Sequence, residues 1–321
     1  MAKVYKGIQE LIGNTPCLKL YYRFKNKIDY IYLKLEYFNL TGSIKDRIAL
    51  RIIESAKEKQ LLKDGMPIIE ATSGNTGISF AALGAYYHHP VIIFMPDWVS
   101  LERVQLMKLY GAEVHLVSKE EGGFQTCIKR AKEMAKACGG FCPCQFENQE
   151  NIMAHYEGTG EEIVRTVKEP LGGFISGIGT GGTLMGVGKR LKEQNQQTKI
   201  IALEPAEAPL LSKGYSGEHQ LEGIGDDFIP DIVNKTLIDQ IILIHSNDAL
   251  AMSQKLSRIG LGVGITSGAN VLASILTNGE RKNITVCPDD SKKYLSTQLV
   301  TPLNSQLVDE IELLKFEIIS A

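Results

Sequence analysis

The chain has 321 residues, enough for two domains of ordinary size. It is 44% hydrophobic and 22% charged with a formal net charge of -2, so it lacks the basic excess of a nucleic-acid or anionic-membrane binder. No apolar run approaches the length of a membrane span and residues 1–15 lack a signal-peptide pattern, which predicts a cytoplasmic protein.

Residues 1–38 contain two short strand-like runs around a turn, Tyr30–Leu35 being the clearer. The loop Asn39–Ser43 then turns into a helix whose apolar positions Ile44, Ile48, Ala49, Ile52, Ile53 and Ala56 recur at helical spacing. Ser43 reads as its N-cap and Asp46 as the acid of a capping box, which puts Lys45 in the first turn. A helix N-terminus carries partial positive charge. That field disfavours the ammonium and favours the neutral amine, which forms Schiff bases with carbonyls.

Met66–Glu70 reads as a buried strand that enters Thr72-Ser73-Gly74-Asn75-Thr76, followed by a small-residue helix through Ile78, Ala81, Ala82 and Ala85. Strands at Val91–Met95 and Glu113–Val117 alternate with helices over 100–110 and 124–138, and a short strand is expected at Phe141–Gln145. In the second half, a helix is predicted over 151–167, then strand Gly173–Ser176, glycine loop Gly177–Gly182 and a helix to about Glu193. Strands at Lys199–Glu204, Gln240–Ile244 and Asn283–Val286 follow, with a long irregular loop over 205–236 and helices over 247–259 and from Ala269. Such alternation implies parallel sheet with helices on both faces. The tail after Thr297 ends in an apolar-acidic run, Leu307–Ile319, readable as an added helix on a partner subunit or as a poorly ordered appendage.

The six cysteines are expected to be free thiols in a chain of this length. Cys138, Cys142 and Cys144 lie close together but lack paired C-x-x-C spacing and a following histidine, so no metal site is expected.

Gly177-Ile178-Gly179-Thr180-Gly181-Gly182 matches G-x-G-x-x-G after a strand, with Glu204 about twenty residues on. That is a dinucleotide fingerprint, and an NAD-dependent dehydrogenase is one reading. Free backbone N–H groups at such a turn bind any phosphate, however. Thr72–Thr76 packs hydroxyls, an amide and backbone N–H groups into one strand-to-helix turn, which suits a carboxylate.

Together these loops resemble the cysteine synthase and cystathionine β-synthase family of pyridoxal-phosphate enzymes. The further marks are Ile12-Gly13-Asn14-Thr15-Pro16, Gly42–Arg47, Gly223-Ile224-Gly225 with Phe228-Ile229-Pro230, and Gly264–Ala269. The resemblance covers the chain to about Thr297. It implies a fold-type II, tryptophan-synthase-β-like α/β architecture: two doubly wound sheet domains with pyridoxal 5'-phosphate in the cleft between them. Residues 43–150 would form the smaller domain, with a mobile subdomain, and 1–42 with 151–321 the larger, phosphate-binding one. Lys45 resembles the lysine that holds the cofactor. Gly179, Thr180, Gly181, Gly182 and Thr183 resemble the phosphate cup, and Asn75 the asparagine beside the ring hydroxyl. Thr72, Ser73, Thr76, Gln145 and Gly225 resemble the substrate contacts. Thr266, or Ser267 one position on, falls where a neutral hydroxyl meets the pyridine nitrogen.

The activity so implied is β-replacement on a cysteine- or serine-type amino acid through an aminoacrylate intermediate, with Lys45 as general base. The partners implied are small amino-acid substrates and a second copy in a homodimer. Asp226 and Asp227 stand where cysteine synthases carry small neutral residues. As catalytic carboxylates they would favour release of hydrogen sulfide from L-cysteine, giving serine or a thioether. Ordinary cysteine synthesis from O-acetylserine and sulfide is the alternative, and a non-catalytic pyridoxal-phosphate-binding homologue a third reading.

Overall fold

The computed structural model describes residues 5–319. Two sheets organise it. The larger runs in the order β10-β1-β2-β9-β6-β7-β8, from β10 (Glu312–Ile319), β1 (Cys17–Phe24), β2 (Lys27–Leu35), β9 (Asn283–Cys287), β6 (Gly173–Gly177), β7 (Lys199–Pro205) and β8 (Gln240–Ile244). Its β10-β1-β2 edge is antiparallel and the rest is parallel. The smaller is parallel throughout, in the order β3 (Ile68–Ala71), β4 (Val91–Pro96), β5 (Glu113–Val117).

Helices cover both faces of each sheet, apart from the edge strand β10, which is mostly exposed. On the small sheet, Ile52, Ile53, Phe80 and Met107 of the helices α1 (Lys45–Glu58), α2 (Asn75–Tyr87) and α3 (Leu101–Leu109) pack one side. Cys127, Ala131 and Ala135 of α4 (Gly123–Cys138) pack the other. On the large sheet, α9 (Ser246–Arg258) and α10 (Ile265–Leu276) pack one face, while α6 (Glu161–Thr166) and α7 (Gly182–Gln194) pack the opposite one. Parallel strands covered on both faces read as continuous apolar runs, which is why Val91–Pro96 stands out in the sequence; Ile68–Ala71 does so despite the buried Glu70.

Three local expectations are corrected. Phe141–Gln145 forms only a single bridge, from Phe141 to Ile68. Pro143 has no N–H to pair and Cys144 turns left-handed at φ 51°, so the extended run stops. The tail is neither an added helix nor an appendage: among the described residues after Thr297 the helical pieces are the short turns Gln298–Val300 and Gln306–Asp309 (α11), and β10 pairs antiparallel with β1 from Cys17↔Ile319 to Arg23↔Glu312. The edge of β1 supplies the backbone partners that a helix would have found within itself. Finally, Asp46 does not close a capping box. Its carboxylate accepts from Thr41 N–H (2.7 Å), Thr41 Oγ1 (2.6 Å) and Ser79 Oγ (2.6 Å), pinning the loop before α1 to α2.

A buried charge cluster fixes the start of α1. Arg47 donates from Nε to Glu36 Oε2 (2.6 Å) and from Nη1 to Glu162 Oε1 (2.7 Å), and Lys34 Nζ donates to Glu162 Oε2 (2.6 Å). Burial alone would raise the Glu162 carboxyl, but Arg47 and Lys34 outweigh it and hold the group down at about 2. Arg47→Met would strand the Glu36 carboxylate and leave Glu162 with Lys34 alone, and breaking a buried pair from one side costs about 3–5 kcal/mol. The urea unfolding midpoint should fall accordingly; an unchanged midpoint would show the cluster to be neutral. A depressed carboxylate contributes fully above its ordinary value of 4.5 and loses that contribution as pH falls toward about 2. The gap between wild type and variant should therefore narrow in acid.

Candidate active site

The turns that follow β3 and β6 face one another across a cleft between the two sheets, at the carboxyl ends of the strands where α/β folds place ligands. Lys45, Asn75, Thr180, Asp226, Thr266 and Asp289 all line it. These residues span most of the chain, and the parallel topology brings them together.

Lys45 is the first residue of α1, and Ser43 Oγ accepts its backbone N–H at 3.3 Å. Among the described residues its amine has no hydrogen-bond partner. Burial pushes its pKa below the ordinary lysine range, opposed by the charges of Asp226 and Asp289. A neutral amine facing a cavity is a nucleophile and a base.

The glycine loop supplies the anion site. α7 begins at Gly182, and among the described residues the N–H groups of Gly179, Thr180, Gly181 and Thr183 have no acceptor. Gly181 is left-handed at φ +86°, and a Cβ at Gly179 would lie 2.3 Å from the Gly223 carbonyl oxygen, so neither position tolerates a side chain. Gly182 starts the helix against Asn151, whose Nδ2 donates to Thr180 Oγ1 at 3.0 Å. Thr183 Oγ1 lies 3.2 Å from His155 Nε2. Burial, with Lys45 and Arg47 nearby, lowers the His155 pKa well below its usual value and keeps the ring neutral.

The second turn carries polar groups at Thr72, Ser73, Asn75 and Thr76, all lining the cleft. Thr72 Oγ1 accepts from Gly74 N–H at 3.0 Å. Thr76 Oγ1 donates to Gln145 Oε1 at 2.6 Å, and Gln145 Nε2 donates to the Ala71 carbonyl at 2.9 Å. Asn75 Nδ2 donates to Asp289 Oδ2 (2.7 Å), while Asn75 Oδ1 and Asp289 Oδ1 are buried without partners. Thr266 lines the cleft and donates to the Glu222 carbonyl at 2.9 Å, whereas Ser267 is fully buried against Asp289 O. Gly225 lies in the adjoining groove with Asp226.

The two aspartates separate. Asp226 lines the cleft, and burial, reinforced by Asp227 and countered by Lys45, pushes its carboxyl up to about 6. Asp227 is exposed, outside the cleft lining, and accepts from Gln125 Nε2 at 3.2 Å. Glu204, the acid of the dinucleotide reading, is committed elsewhere. It accepts the N–H groups of Leu211 and Ser212 at the start of α8 (Leu210–Lys213), so it is not free to read a ribose.

Sequence reasoning missed Asp289, Tyr294 and the Arg103–Glu222 ion pair. Tyr294 OH donates to Asp289 Oδ2 at 2.5 Å, and Arg103 stacks 4.6 Å from the Tyr294 ring centroid while pairing with Glu222. Asp289 could have been found from its place just past the end of β9.

These groups fit pyridoxal phosphate: unpartnered N–H groups for a phosphate, an amine for an aldehyde, and a buried Asn75 Oδ1 awaiting a donor. The profile of the family described as pyridoxal-phosphate dependent enzyme matches residues 8–287. Cysteine synthase B of Campylobacter jejuni is 40% identical over 301 residues, 92% of this chain and 99% of that protein. A hydrogen sulfide-producing enzyme from Fusobacterium nucleatum superimposes with a TM-score of 0.95 at 45% identity, covering 98% of each chain. An O-acetylserine dependent cystathionine β-synthase from Helicobacter pylori superimposes with a TM-score of 0.86 at 32% identity, covering 93% of this chain and 100% of that one. The chain belongs to the pyridoxal-phosphate dependent enzymes and, within them, is cysteine synthase-like.

Proposed function

We propose that this protein releases hydrogen sulfide from L-cysteine by β-replacement, water or a thiol taking the place of the sulfur to give serine or a thioether. The observation that carries this reading is the Asp226 carboxyl in the cleft with Lys45. At about 4 Å and an effective dielectric near 20, two like charges repel by roughly 4 kcal/mol. An ionised Asp226 at that range disfavours bisulfide as the incoming nucleophile. The same carboxylate can take a proton from water or a neutral thiol. The Fusobacterium nucleatum relative is itself a hydrogen sulfide-producing enzyme.

Pyridoxal phosphate, when bound, supplies the electron sink that makes the amino-acid Cα–H acidic. Lys45 takes the Cα proton as its neutral amine, the form favoured by burial. The N–H groups of Gly179, Thr180, Gly181 and Thr183 would hold its phosphate, and the neutral His155 adds no charge there. Ser73, Thr76 and Gln145 orient the substrate carboxylate. Thr266, a neutral hydroxyl lining the cleft, would meet the ring nitrogen without forcing its protonation.

The test is a comparison of substrates. L-Cysteine alone, and L-cysteine with homocysteine, should yield sulfide plus serine or thioether. If neither releases sulfide while O-acetylserine plus sulfide turns over rapidly, the protein is an ordinary cysteine synthase. The carboxylate turn is tested separately. Ser73→Ala and Thr76→Ala each remove one hydrogen bond to a charged group, about 1.5–3 kcal/mol, and should raise KM about tenfold or more with kcat little changed. Unchanged KM in both variants would reduce the turn to a helix cap.

A further inference from the structure

Behind Gln145 lies a second hollow of about 240 Å³, which the reaction above does not use. Glu70, Ile128, Lys132, Cys142, Cys144 and Phe228 line it, and Phe146 forms part of both its wall and that of the cleft. Cys142 and Cys144 are half-buried, and their thiols are in hydrogen-bond contact at 3.3 Å. The left-handed turn at Cys144 brings two sulfurs so close on either side of Pro143. The other cysteines differ: Cys17, Cys127 and Cys287 are buried, and Cys138 is exposed.

The surroundings make the two sulfurs unequal. The contact from Cys142 and the Lys132 ammonium lower the Cys144 pKa against the effect of burial, while Cys142 is raised. A stabilised thiolate beside a second thiol is the arrangement of redox-active pairs. Among the described residues no group of three or more His, Cys, Asp or Glu side chains is placed to hold a metal ion.

We propose that Cys142 and Cys144 form a redox modification site that reacts with a small disulfide and closes an intramolecular disulfide, loosening Gln145 in the neighbouring cleft. Cys144 thiolate attacks one sulfur of the small disulfide; that S–S bond breaks, a mixed disulfide forms, and the first thiolate leaves and takes up a proton. Cys142 then loses its proton and attacks Cys144 Sγ, expelling the second thiolate. The protein dithiol is oxidised by two electrons and the small disulfide is reduced to two thiols.

Closure to about 2.05 Å needs the sulfurs to approach by more than an ångström. The strain falls on the next residue. Gln145 N–H donates to Glu70 Oε2 at 3.2 Å, its side chain joins Ala71 and Thr76, and its carbonyl accepts from Asn151 Nδ2 at 2.8 Å. Asn151 in turn holds Thr180 of the glycine loop. The effect on catalysis rests on the reading that Gln145 faces the substrate carboxylate; the disulfide itself does not.

The experiment uses the holoenzyme with Cys138→Ser as background, so that the peptide carrying the pair holds no other cysteine. It is treated with bis(2-hydroxyethyl) disulfide, capped with iodoacetamide and mapped by mass spectrometry. The expected product is a Cys142–Cys144 disulfide without hydroxyethyl adduct, with KM for L-cysteine raised about tenfold and restored by dithiothreitol, the size of one lost hydrogen bond to a charged group. Cys142→Ser should stop at a mixed disulfide on Cys144, and Cys144→Ser should react at least about tenfold more slowly. A stable adduct on the intact pair, or no reaction there, would overturn the site. Because L-cysteine is itself a reducing thiol, the mass map is repeated at the end of the assay; a disulfide still present there that leaves KM unchanged would overturn its link to Gln145. If L-cysteine proves not to be a substrate, the mass map still decides the site.

Discussion

Lys45→Ala should give a folded protein that has lost at least about a thousandfold in turnover, within the range of a missing general acid–base group compounded by lost covalent attachment of the cofactor. The change is well suited to separating chemistry from folding. The Lys45 amine has no hydrogen-bond partner among the described residues, and its burial disfavours the charged form. Its removal therefore strands no partner, in contrast to Arg47 in the same turn of α1, and the unfolding free energy in urea should stay within about 1 kcal/mol of wild type. Because burial lowers the Lys45 pKa, the neutral amine is present at lower pH than on an ordinary lysine. The purified wild type should absorb in the visible through an imine to the cofactor, and the variant should bind the cofactor without that band. Turnover within tenfold of wild type would remove Lys45 from the reaction.

The elements that hold the cleft are the ones the sequence announces most clearly. Buried parallel strands such as Ile68–Ala71 and Gly173–Gly177 are short and, Glu70 and Ser176 apart, without polar side chains, and each leads into a turn whose glycine and hydroxyl residues are too many for capping alone. That Lys45, Asn75 and Thr180 share one cleft is legible because each stands in a turn that enters a helix and belongs to a motif the family resemblance carries. What escaped depends on distant partners. Asp46 looks like a capping acid until Thr41 and Ser79 are seen to hold it. The tail has a helix-compatible pattern, and only the open edge of β1 makes it a strand. Arg103 and Glu222 are 119 residues apart and share no motif. Two adjacent aspartates read alike in the chain, yet backbone direction sends Asp226 into the cleft and Asp227 to solvent. An alternation of one residue is invisible where the loop has no regular period.

That separation sets the last expected result. Asp226→Asn should lower sulfide release from L-cysteine by about a hundredfold to ten-thousandfold, the range for loss of a general base. The pH dependence gives the sign. Asp226 is raised to about 6, mainly by burial and then by Asp227. A base acts when deprotonated, so wild-type activity should be full above about pH 6 and fall as pH drops through that value, and the asparagine variant should lack this acid limb. The repulsion argument adds a converse. With the carboxylate gone, bisulfide meets no like charge, and O-acetylserine plus sulfide should turn over at least as well in the variant as in wild type. Asp227→Asn provides the control. Among the described residues its exposed carboxylate hydrogen-bonds Gln125 alone, so its loss should change the rate by less than about threefold. It should also move the acid limb to lower pH, because the charge that helps raise Asp226 has been removed. An Asp226→Asn enzyme that releases sulfide at the wild-type rate with its acid limb intact would end the case for this carboxylate. So would equal losses from both substitutions, because the cleft lining distinguishes Asp226 from Asp227.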